Sequence, residues 1–120
     1  MALAPNEPAE PVQVDFTPEF KRNLRALGKR YRHIRSDVQP VIERLQAGET
    51  LGDQVPGTRR TIFKARVQNS DIQKGKSSGY RLIYRLVSPT RIVLVTIYSK
   101  LEQGDVSEEQ IRRILKEFEW

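Results

Sequence analysis

Ten basic side chains lie between Gly57 and Lys100: Arg59, Arg60, Lys64, Arg66, Lys74, Lys76, Arg81, Arg85, Arg91 and Lys100. One acid, Asp71, shares the stretch, which leaves nine positive charges in excess. That density is an electrostatic footprint for a polyanion. Arginine offers a planar fork to two phosphate oxygens, and clustered cations lower the pKa of a neighbouring Lys or Tyr, which can then move a proton. Other chemistries are poorly supplied. There is no cysteine, which excludes a disulfide scaffold, a zinc ribbon and a Cys nucleophile. The one histidine, His33, stands between two helical segments, away from the basic strands, and reads better as a surface or helix-end residue than as a catalyst. No paired acids stand near the basic strands, so no metal site is expected. Gly75 and Gly79 bracket a polar loop without forming a Walker motif. No cofactor is expected either.

These side chains must be carried by one small domain. The chain has 120 residues, 38% hydrophobic and 30% charged, with a net charge of +6. That is the composition of a soluble globular protein with a single core. The longest apolar run, Ile92 to Ile97, is far too short to span a membrane. The acidic, proline-bearing start is not a signal peptide, so the expected location is cytoplasmic, with no membrane partner. Residues 1–11 read as a flexible tail and residues 12–120 as the folded domain.

Val12 to Phe16 alternates and fits a short edge strand. Thr17-Pro18-Glu19 is a helix start, and Phe20, Leu24, Leu27 and Tyr31 follow as one apolar stripe. A second helix is expected from about Ser36, capped by Ser36-Asp37, to Ala47, with Gly48 as its left-handed end. Thr61 to Val67 puts Phe63, Ala65 and Val67 on one side and Lys64 and Arg66 on the other. Tyr80 to Val87 alternates as well, with Tyr80, Leu82, Tyr84 and Leu86 opposite Arg81, Ile83, Arg85 and Val87. Ile92 to Tyr98 reads as a central strand buried on both faces. Ser107 to Gln110 is a capping box, opening a last helix with Ile111, Ile114, Leu115 and Phe118 on its stripe. The expected fold is α+β with two layers: an N-terminal helical hairpin on a small antiparallel sheet, plus a C-terminal helix. The other sheet face would stay partly open, for the alternating Lys and Arg residues.

The run Gly75-Lys76-Ser77-Ser78-Gly79-Tyr80-Arg81-Leu82-Ile83-Tyr84, then Leu94-Val95-Thr96-Ile97-Tyr98-Ser99-Lys100, then Asp105-Val106-Ser107, resembles the RelE/HigB-type toxins of bacterial type II toxin–antitoxin systems, and most of all the HigB-like branch. The resemblance covers Val12 to the C-terminus. It implies a RelE-like fold and a metal-independent endoribonuclease that cuts messenger RNA on the ribosome, inhibits translation and is neutralised by a cognate antitoxin. DNA would be met only indirectly, through the antitoxin. The alternatives are a ParE-like toxin, which binds DNA gyrase without cutting RNA, and an inactive member kept for antitoxin pairing.

Spacing and resemblance together nominate the site residues. Arg81 would clamp the scissile phosphate, and Tyr98 and Lys100 would supply proton transfer and further charge. Tyr98 could also stack on a base, although it shares parity with Leu94 and Thr96 and fits a core aromatic equally well. Lys74 and Lys76 would grip phosphate or serve as the base. Lys64 and Arg66 would extend the groove floor, with Arg85, Arg22 and Arg25 as further RNA contacts. Asp71 is open to either a helping or a structural role.

Overall fold

The computed structural model describes residues 11–57, 60–72 and 79–118. The expected tail up to residue 10, and Lys74 and Lys76 with it, lie outside the described residues. The described chain runs β1 (Gln13–Phe16), α1 (Pro18–Gly28), α2 (Ile34–Gln46), β2 (Asp53–Gln54), β3 (Ile62–Val67), β4 (Tyr80–Ser88), β5 (Arg91–Ser99) and α3 (Glu108–Phe118).

Thr17 makes the corner between β1 and α1. Its hydroxyl accepts from the Phe20 amide at 3.0 Å, capping α1, and donates to the Val95 carbonyl at 2.6 Å, pinning the corner to β5. Pro18 follows at the first turn, where its missing N–H is harmless. Helix α2 starts at Ile34, two residues ahead of Ser36. Ser36 does not cap it; its hydroxyl donates back to the His33 carbonyl at 2.9 Å. The Asp37 carboxylate instead accepts from the Ser70 amide and hydroxyl, tying α2 to the segment after β3. Gly48, at φ 93°, ends α2 in the left-handed conformation, and the Glu49 amide reaches back to the Arg44 carbonyl at 3.1 Å.

The strands lie in the order β1-β5-β4-β3-β2. β1 runs parallel to β5, while the other neighbours are antiparallel. Phe63, Ala65 and Val67 share one face with Tyr80, Leu82 and Tyr84, and α1 and α2 cover that face with Phe20, Leu27, Ile34, Val38 and Leu45. On the other face Ile62, Ile83, Val95 and Tyr98 pack under Ile111 and Leu115 of α3. The capping box forms as the sequence suggests: Gln110 N–H meets the Ser107 hydroxyl at 3.1 Å, and the Gln110 side chain accepts from the Ser107 amide at 2.9 Å.

The expected fold class is therefore corrected. A helical hairpin does not open the structure, because a paired strand precedes it. The sheet is mixed rather than antiparallel, because that strand pairs parallel with β5. Nor is the design two-layered. Ile92 to Ser99 are all buried, and a strand apolar on both sides requires cover on both sides, which α3 supplies opposite α1 and α2.

Candidate functional site

Strand alternation sends Lys64 and Arg66 to the same side of the sheet as Arg81. The register then sets Arg66 directly across from Arg81, and Arg81 across from Tyr98, in one row over three strands. α3 packs on the apolar part of this face, so the row borders an open cleft of about 530 Å³. Arg81, Arg66, Lys64, Lys100 and Asp105 line it, with Asp53 and Gly52 on the β2 side and Arg44 from α2.

Arg81 is only 7% exposed. Its guanidinium donates to the Tyr80 carbonyl at 3.4 Å, and among the described residues neither it nor Arg66 has a carboxylate partner. Like charges directly opposite each other on neighbouring strands repel. A guanidinium taken largely out of water without a counter-ion adds to that cost. The pair thus presents two guanidinium groups with no anionic acceptor among the described residues.

Beside it one carboxylate answers two ammonium groups. Lys100 Nζ lies 3.2 Å and Lys64 Nζ 3.5 Å from Asp105 Oδ1, and the Tyr98 hydroxyl donates to the same oxygen at 3.3 Å. The Lys100 hydrogen bond and the nearby Lys64 charge hold the Asp105 carboxyl below the usual carboxylate range. Burial, chiefly, pushes the Tyr98 hydroxyl up from its ordinary value.

Of the residues nominated from sequence, Arg81, Tyr98, Lys100, Lys64 and Arg66 come together. Tyr98 is 3% exposed, so its ring is a core aromatic that meets the cleft only through its hydroxyl's bond to Asp105; it is not open to stacking on a base. Arg85 shares the face of Arg81 but sits four residues along β4, about 13 Å by strand geometry, outside the cleft lining. Burial, and then the charges of Arg60 and Arg91, pull its pKa below the usual guanidinium value. Arg22 and Arg25 are exposed on α1, whose apolar side packs on the opposite sheet face, and Arg22 pairs with Glu19 at 2.7 Å. Asp71 has a structural partner. Its carboxylate accepts from the His33 amide at 2.9 Å and lies 2.6 Å from His33 Nδ1, and those bonds lower its pKa. The residue that sequence reading missed is Asp105. The visible signal was an acid five positions beyond Lys100, with no intervening structure to carry it elsewhere.

No helix among the described residues is long and apolar enough to cross a membrane. No family model matches the chain, and no curated protein does. Among solved structures it is similar to TrmO from Pseudomonas aeruginosa, at 16% sequence identity and a TM-score of 0.45, with 81% of this chain covered. The chain spans 41% of the length of that TrmO structure. The expected place among the RelE/HigB-type toxins is not upheld by these comparisons and is corrected. With it go the ribosome-dependent messenger endoribonuclease, its antitoxin and the gyrase-binding alternative. The motifs that suggested the family describe a cationic β-hairpin, which is a local property that unrelated proteins can share.

Proposed function

We propose that the cleft binds the phosphate backbone of single-stranded RNA. The observation that carries this reading is the Arg66–Arg81 pair, opposite each other in the β3–β4 register with no carboxylate partner among the described residues. An oxygen-rich anion between them would relieve the repulsion and satisfy two guanidinium forks at once. The net charge of +6 favours a polyanion over an isolated one. Binding is better supported than acid–base chemistry. Burial moves Tyr98 up and the lysines move Asp105 down, so both groups are carried away from neutrality, where a general acid or base works best.

The test is fluorescence anisotropy with a labelled RNA oligomer of about ten nucleotides, titrated across salt concentrations. Affinity should fall with salt by about 0.7 log units per log unit of salt for each phosphate held. Arg66→Ala with Arg81→Ala should weaken binding at least ~10-fold and flatten that slope. Equal affinity of the double variant and the wild type would remove the reading, as would preferential capture of an acidic peptide.

A further inference from the structure

Asp105 occupies a position that a ligand should want. Its Oδ1 atom receives Lys64, Lys100 and the Tyr98 hydroxyl together, at 3.5, 3.2 and 3.3 Å. Two ammonium groups and a phenol converging on one oxygen make a donor set suited to phosphate. The set adjoins the first fork, since Tyr98 is the cross-strand neighbour of Arg81. The carboxylate itself lies at the solvent boundary. Its side chain is 58% exposed, and Leu101 to Asp105 are all exposed. Nothing lies within 4 Å of where a side chain at the preceding Gly104 would stand.

We infer that Lys64, Lys100 and the Tyr98 hydroxyl form a second phosphate subsite beside Arg66 and Arg81, filled in the free protein by the Asp105 carboxylate, which an incoming phosphate displaces. This rests on the RNA-backbone reading above and names its second contact. Asp105 acts as an internal stand-in for the ligand. It keeps two lysines and a buried phenol satisfied when the cleft is empty, and it swings into solvent when a phosphodiester takes its place. The free protein therefore spends most of its time with this subsite closed, and the measured affinity is lowered by the open fraction.

The experiment compares wild type, Asp105→Asn and Asp53→Asn for binding of the same labelled RNA oligomer. Asp53 lines the cleft opposite Lys64 in the β2–β3 ladder, so its variant removes an equal charge from the same cleft while the Asp105 carboxylate stays in place. Asp105→Asn should bind about tenfold more tightly than wild type. Asp53→Asn should gain only the smaller increment of a screened charge. Adding Lys100→Ala to Asp105→Asn should abolish the gain. Wild-type binding that depends on Arg66 and Arg81, but is no tighter in Asp105→Asn than in Asp53→Asn, would overturn the second subsite and leave the first reading standing. Failure of both wild type and Asp105→Asn to bind would overturn both. Binding by Asp105→Asn alone would uphold both and show a latch tighter than supposed.

Discussion

Arg81 has a conflict built into its position. Its strand address puts it opposite Arg66 and beside Tyr98, and the fold leaves it 7% exposed without a counter-ion among the described residues. Replacing a buried charge by an apolar side chain of similar length is often neutral or stabilising. Arg81→Met should therefore raise stability to urea by about 1 kcal/mol or leave it unchanged, while RNA binding weakens. A variant that unfolds more readily than wild type would show that the guanidinium supports the fold rather than a ligand. A glycine meets the opposite demand nearby. Gly52 sits at φ 82°, and a Cβ there would collide with the Lys64 carbonyl. Gly52→Ala should destabilise by about 2 kcal/mol, because it adds backbone strain to a clash against main chain. Thermal melting reads this directly, and an unchanged midpoint would contradict it.

Among the elements, α3 has the sharpest division of labour. Its Leu115 is 0% exposed and Ile111 1%, and with Ile62, Ile83, Val95 and Tyr98 they make the smaller of the two cores. Leu115→Ala should cost about 2–5 kcal/mol and free the helix before the rest of the sheet opens. Trypsin would then cut faster at Arg112, Arg113 and Lys116; cleavage at the wild-type rate would show that the helix is held by something other than this contact. Much of this layer was legible in sequence. The Thr17-Pro18 corner, the Gly48 end, the Ser107 capping box and the alternation of β3 and β4 all depend on neighbours a few residues apart. The start of α2 was misplaced because Asp37, a good local cap, is drawn away by Ser70 across the fold. The mixed sheet was not legible for a similar reason. Nothing in Gln13 to Phe16 says that its partner is Arg91 to Leu94, or that the two strands run in the same direction.

For the molecule as a whole, site and scaffold differ in how far they can be read. Alternation correctly gathered Lys64, Arg66 and Arg81 on one face, and the end of β5 added Tyr98 and Lys100. The same pattern puts Arg85 on this face but outside the cleft lining, because parity fixes a side of the sheet but not a distance along it. Arg22 and Arg25 stand apart from the cleft, because the sequence does not say which face α1 covers. Asp105 was missed because a charge count shows excess and does not show which cation holds which anion.

The corner at Thr17 has a consequence for the order in which the protein matures. Its hydroxyl is bonded to a carbonyl 78 positions later in the chain. β1 and α1 are made before the strand that receives them on both counts, by ladder and by cap. Closing so wide a loop is slow, and the oily side of α1 stays uncovered until it happens. A nascent chain halted before Arg91 holds the β3–β4 hairpin but lacks the strand to which α1 is pinned, and completion of β5 supplies it.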